Sequence, residues 1–166
     1  MQRLGQRWDQ RSSGVEPLTV ESSIDIACST QDLWDFLVAP ESAVLIGDGV
    51  VKAFRVPGAP AGVAGDQHCV VYEIDGRVTV HMAEVVEADA PNRMVIHWPT
   101  LSTTMLSVST LTPTHAGTTY TSRIGLQVAN GTSSKVEPGV LKAVAEGNVR
   151  LKACVEAGTR FSAPAD

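Results

Sequence analysis

The chain has 166 residues, 43% of them hydrophobic and 19% charged, which is enough for one domain with a substantial core and short for two. A net charge of −5 disfavours a nucleic-acid partner, whose binders carry a basic face, and docking on an anionic membrane. Cys28, Cys69 and Cys154 are odd in number and far apart; they argue against a disulfide framework or a zinc knuckle and suit buried thiols in a reducing cytoplasm.

Residues 1–17 are polar and rich in Arg, Gln, Gly and Ser, the composition of a flexible arm that Trp8 could pin to the surface. No stretch has the apolar core of a signal peptide or the length to insert across a bilayer. The domain proper is expected over 18–158, with a tail over 159–166. It opens with a strand near Thr19–Ala27, where Ser22, Ile24 and Ile26 alternate with Ser23 and Asp25. A helix follows, capped by Ser29 or Thr30, with Leu33, Trp34, Leu37 and Val38 as its apolar stripe and Pro40 as its end. A short second helix is expected near Glu41–Ile46.

The pattern then changes to strands. Val50–Val56 is the first, followed by the glycine-rich loop Gly58–Gly65. Asp66–Ile74 and Arg77–Glu87 are joined by Asp75-Gly76, a strong two-residue hairpin signal. Arg93–Trp98, Thr104–Thr112 and Thr118–Val128 complete a meander. Val136–Ala157 reads as a long helix with Val140, Val144, Leu151, Cys154 and Val155 near one face and Pro138 near its start. The fold class is α+β, an antiparallel sheet of six or seven strands with two short helices after the first strand and one long terminal helix.

The order of these elements, together with several short motifs, resembles the START-like (SRPBCC) superfamily and its polyketide cyclase/dehydrase-like branch. The matching segments are SSIDIACSTQDLWDFLVAPE, PGAPAGVAGDQHCVVYEIDGR, VVEADAPNRMVIHW, LTPTHAGTTYTSRIGLQV and SSKVEPGVLKAVAEGNVRLKACVEAG, covering about residues 19–158. The resemblance implies the helix-grip fold, a curved sheet wrapped around the terminal helix with an internal apolar pocket. It does not imply one activity, because that superfamily spans lipid and hormone binders, aromatases and cyclases, chaperone cofactors and proteins of unknown role.

Turn chemistry sets an expected register. With Asp75-Gly76 as the turn, Ile74 pairs with Arg77, which places Gln67, Cys69, Val71 and Glu73 opposite Glu84, Met82, Val80 and Val78. This face is the more apolar, so it is expected inward. If Ala88–Asn92 is the next loop, Glu87 pairs with Arg93, and Met94, Ile96 and Trp98 join the same wall. A last turn over Thr114–Gly117 sets Leu111, Ser109, Ser107 and Met105 opposite Tyr120, Ser122, Ile124 and Leu126. Serines on a concave wall leave volume. So does Gly147, which costs about 1 kcal/mol in a helix interior and either faces a cavity or permits close helix–sheet packing.

The expected ligand-contacting set is therefore Met82, Glu84, Ile96, Trp98, Ser107, Ser109, Tyr120, Ser122, Gly147 and Leu151. Glu84 and Tyr120 are the candidates for proton chemistry: Glu84 as a lone carboxylate in an apolar series with Gln67 opposite, Tyr120 as a phenol on an apolar wall. As alternatives, Glu84 reaches solvent at a strand end and Tyr120 is ordinary core. No nucleophile elbow, zincin, P-loop or dinucleotide motif is present, so no cofactor is expected. His68, His81, His97 and His115 fall outward or on a turn, which disfavours a metal site. The leading expectation is a module binding a small hydrophobic or aromatic molecule, the second a cyclase/aromatase-like enzyme using the same pocket. The third is an interaction protein or homodimer acting through an outward face with Val70, Tyr72 and Ile74.

Overall fold

The computed structural model describes residues 14–99 and 104–159; most of the expected arm, Trp8 included, and most of the expected tail lie outside them. Strand β1 (Val15–Ile26) leads to helix α1 (Thr30–Val38), a 3₁₀ turn at Pro40–Ser42 and the single-turn helix α2 (Ala43–Ile46). Strands β2 (Val50–Arg55), β3 (Gln67–Ile74), β4 (Arg77–Asp89), β5 (Arg93–Pro99), β6 (Thr104–Thr114) and β7 (Gly117–Ala129) follow, and helix α3 (Ser133–Glu156) closes the described chain. The strands form one seven-stranded antiparallel sheet in the order β1-β7-β6-β5-β4-β3-β2. β1 begins at Val15, inside the segment expected as arm, because Val15–Thr19 pairs with the end of β7. α3 starts three residues early, which puts Pro138 in its second turn.

Local chemistry accounts for the element boundaries. Ser29 is the N-cap of α1; its Oγ accepts from the Asp32 amide at 3.1 Å and donates to the Asp32 carboxylate at 2.6 Å. Asp75 and Gly76 both have positive φ (52° and 72°), the two-residue hairpin turn that the sequence announces. Thr132 gives α3 no side-chain cap. Instead Glu16 reaches over from β1, and its Oε1 accepts from the amides of Gly131 and Ser133, both at 3.0 Å. Those bonds hold the Glu16 carboxyl below its usual range.

β1 also ties α3 further along. Asn148 Nδ2 donates to Ser22 O at 3.2 Å, and the Ala27 amide donates to Glu156 Oε1 at 2.8 Å. The helix is thus laid along an edge strand. It buries Val136, Val140 and Val144 against Leu18, Val20 and Val128 at one end. At the other end Leu151, Cys154 and Val155 join Ile26, Trp34, Val85, Met94 and Leu111. The rest of the concave face is left to α1 and α2.

The registers of both short hairpins follow their turns. Gln67 pairs with Glu84 and Ile74 with Arg77; Pro113 pairs with Thr118, and Ser109 with Ser122. The β4–β5 pairing differs from expectation. The turn is the three residues Ala90–Asn92, so Asp89, not Glu87, pairs with Arg93; Val86 is then a β-bulge, beyond which Val85 pairs with Ile96 and Glu84 with His97. One extra residue reverses the alternation on everything upstream. Ala83 and Val85 are buried at 2% and 1% exposure, whereas Met82 is 41% exposed and Val80 61%.

The expected inward set on β3 and β4 is therefore the outward one. Met82, Val80, Val78, Glu84, Gln67, Cys69, Val71 and Glu73 occupy the convex side. His68, Val70, Tyr72 and His81 face in, and the Tyr72 and His81 rings meet edge-to-face at 5.1 Å. The exposed apolar residues of this hairpin include Val78, Val80 and Met82 on the outward face, with Ile74 at the hairpin end, and not Val70 or Tyr72. Met94, Ile96 and Trp98 on β5, and the inner residues of β6 and β7, lie on the concave side as expected.

Candidate functional site: a groove between the terminal helix and the sheet

A cavity of about 550 Å³ runs between α3 and the concave face, within the size range of small-molecule pockets. Its floor comes from β6 and β7, through Met105, Tyr120, Ser122 and Ile124; Tyr72 of β3 and the α2–β2 connection at Ile46–Asp48 form one wall. The roof is α3, through Val140, Val144 and Leu151 and the small residues Gly139, Ala143 and Gly147.

These three small residues recur every fourth position and so share one helix face. A Cβ built on Gly139 or Gly147 meets nothing within 4 Å. The groove therefore exists where α3 lacks side chains, between the two clusters that hold its ends. Close helix–sheet packing at Gly147, the other expected explanation, is not what the geometry shows.

The groove brings together only part of the sequence-derived set. Tyr120, Ser122, Gly147 and Leu151 line it. Ser109 sits directly behind, its Oγ 3.0 Å from the Tyr120 hydroxyl. Ser107 and Trp98 pair with each other, Trp98 Nε1 donating to Ser107 Oγ at 3.1 Å, and Ile96 packs against the core. Met82 and Glu84 are on the opposite side of the sheet, for the reason given by the Val86 bulge.

Residues outside the expected set also line the groove. Tyr72 faces in, opposite to expectation. Arg150 and Asn148 flank Val149 on the terminal helix and Asp48 lies between two glycines, so none carries a signal in sequence, whereas the four-residue spacing of Gly139, Ala143 and Gly147 is a readable one.

Tyr120 is buried on the groove floor. Burial pushes its pKa up, against smaller opposing effects of hydrogen bonds with Ser109 and Ser122. It therefore keeps its proton at neutral pH and can act as a donor. Burial raises the Tyr72 phenol in the same way. Asn148 is buried with its amide turned to β1, and Arg150 Nε donates to Ile46 O at 2.7 Å.

The helix-grip fold is what this sheet and helix make. No family model matches the chain, and no curated protein matches it. Solved structures do. The di-domain ARO/CYC StfQ of the steffimycin biosynthetic pathway superposes with a TM-score of 0.69 at 14% identity, over 86% of this chain and 52% of that one. The di-domain ARO/CYC BexL of the BE-7585A pathway gives 0.68 at 14% identity, over 89% and 51%. An uncharacterised protein from Rhizobium leguminosarum gives 0.68 at 12% identity, over 86% and 97%. This chain thus spans about half the length of the two di-domain proteins, and at these identities the likeness is one of fold.

Other chemical groups lie away from the groove. Asp66 is fully buried and accepts from Arg55 Nε at 2.8 Å, Arg55 Nη2 at 3.1 Å and the Gly62 amide at 2.7 Å, while Arg55 Nη2 also donates to Val38 O at 2.8 Å. His68 Nε2 is 3.1 Å from Asp66 Oδ1 but off hydrogen-bond geometry. Burial raises the Asp66 pKa, but Arg55, the Gly62 amide and His68 outweigh it and leave the carboxyl below its usual range. This cluster fastens the glycine-rich loop to the end of α1.

A smaller recess of about 210 Å³ lies beside Cys28, Phe36 and Val155. Burial, with Asp32 and Glu156 nearby, raises the Cys28 thiol and keeps it a poor nucleophile. Among the described residues no group of His, Cys, Asp or Glu could hold a metal, and no helix is long and apolar enough to cross a membrane.

Proposed function

We propose that this protein binds a small hydrophobic or aromatic molecule in the groove beneath α3. The observation that carries the proposal is the cavity of about 550 Å³ facing Gly147, which has open space where a side chain would be. Folding leaves apolar surface of Val140, Val144 and Ile124 uncovered there, and a ligand that covers it gains the burial the chain forgoes.

Gly147→Leu tests this. Overpacking a filled core costs about 1–3 kcal/mol, whereas filling a void costs little. The expected result is loss of binding of the neutral dye N-phenyl-1-naphthylamine with an unchanged or raised melting temperature. A sharply lowered melting temperature, or dye binding equal to wild type, overturns the proposal.

A second reading is supported by the ARO/CYC neighbours and by the protonated Tyr120 phenol. In it the groove folds a reactive chain for cyclisation and Tyr120 donates a proton or hydrogen bond to it. Turnover of an aromatic polyketide mimic that disappears in Tyr120→Phe separates enzyme from binder. Homodimerisation is a third reading, through the exposed row Val78, Val80 and Met82. Concentration-dependent association in sedimentation that Val80→Lys abolishes would support it.

A further inference from the structure

At one edge of the groove a guanidinium is held in a fixed orientation, with no counter-ion among the described residues. Arg150 is half-buried, and its Nε donates to Ile46 O at 2.7 Å. That bond spans from α3 to α2 and fixes the plane of the group, yet it uses one of five N–H donors. Among the described residues nothing accepts from its terminal nitrogens, and no carboxylate lies within ion-pair range.

Arg55 and Arg93, the other half-buried arginines among the described residues, each face a carboxylate, Asp66 and Glu87 respectively. Arg150 is the exception, and it is the one that lines the groove. Taking a guanidinium partly out of water without an anion is costly, and an anion arriving from outside recovers that cost. The other charged residue of the lining, Asp48, is outside ion-pair range of Arg150; it disfavours ligands carrying several negative charges while leaving room for one.

We infer that the ligand of this groove is an amphipathic molecule with a single oxyanion group, such as a carboxylate, seated on the terminal nitrogens of Arg150, and with its apolar body lying along Ile124, Val140 and Val144. The inference rests on the groove being a binding site. The planar fork of Arg150 matches two oxygens of one such group, which gives orientation as well as affinity. The apolar end then points along the stripe of Gly139, Ala143 and Gly147, away from the charge.

The test uses two dyes with one ring skeleton, the neutral N-phenyl-1-naphthylamine and its sulfonated form 1-anilinonaphthalene-8-sulfonate. Wild type is expected to bind the sulfonated dye about tenfold or more tightly. Arg150→Gln should collapse the ratio of the two dissociation constants toward one, and Arg150→Lys, which keeps the charge and loses the fork, should leave it intermediate. A ratio near one in wild type overturns the inference, as does an unchanged ratio in folded Arg150→Gln. If Arg150→Gln does not fold, the Lys variant decides, an unchanged ratio counting against the inference. Gly147→Leu separates the two proposals. Neutral-dye binding lost in that variant together with a wild-type ratio near one defeats only the anionic ligand. Neutral-dye binding that survives Gly147→Leu defeats the groove itself.

Discussion

Ser109 Oγ and the Tyr120 hydroxyl lie 3.0 Å apart across the β6–β7 pair, and Ser122 approaches the same phenol from its own strand. The three hydroxyls form one buried polar point on the groove floor. Removing the phenol oxygen leaves two serines that can still bond to each other or to water, so the fold should tolerate the loss. Tyr120→Phe is expected to lower stability by about 1 kcal/mol and to weaken binding of dyes carrying a carbonyl or hydroxyl more than that of purely hydrocarbon ones. A melt and paired titrations check this. Equal weakening for both dye types would mean that the hydroxyl faces protein alone.

Asp66 makes stability sensitive to acid. Its pKa is lower folded than unfolded, so it contributes stability that is fully present above the unfolded value of 3.8 and is lost as pH falls through the folded value. Asp66→Asn should cost about 2 kcal/mol at neutral pH, below the roughly 3–5 kcal/mol of a fully buried pair, because Arg55 keeps some contact with water. The variant should also show a shallower fall in melting temperature as pH drops below about 4. Parallel acid profiles for wild type and variant would show that the cluster does not carry this dependence.

Glu84 stands on the convex side, opposite Gln67 and His97. Glu84→Gln should therefore change stability by less than about 0.5 kcal/mol and leave dye binding at its wild-type level. Chemical denaturation and one titration are sufficient. Altered dye affinity would place the carboxylate in the groove and contradict the pairing of Glu84 with His97.

The parts of this fold that sequence alone made legible are those fixed by local chemistry. Asp75-Gly76 admits one tight turn, and with it the β3–β4 register; Ser29 followed by Asp32 marks the start of α1. The Val86 bulge has no such signature. Its residue is an ordinary β-former, and the extra residue is visible only once Ala90–Asn92 closes as the turn. Two of the expected contacts, Met82 and Glu84, failed for that single reason. Arg150 was illegible for another: its meaning depends on a carbonyl at Ile46, far away in the chain, and on the carboxylates that are not near it. Tyr120, Ser122, Gly147 and Leu151 were legible because the β6–β7 turn was placed correctly and because a glycine inside a helix is conspicuous.

The Val86 bulge lets β4 carry one residue more than its ladder with β5 needs and still present Ala83 and Val85 to the core. Substitutions within the strand change one side chain each, and the exposed Val86 itself, at 45% accessibility, is free to vary among β-formers. A one-residue deletion there is a different kind of event. It would join Glu87 directly to Val85 and restore strict alternation with Ala83 and Val85 still inward and Met82 and Glu84 still outward, so the strand would lose a local bend and keep both faces.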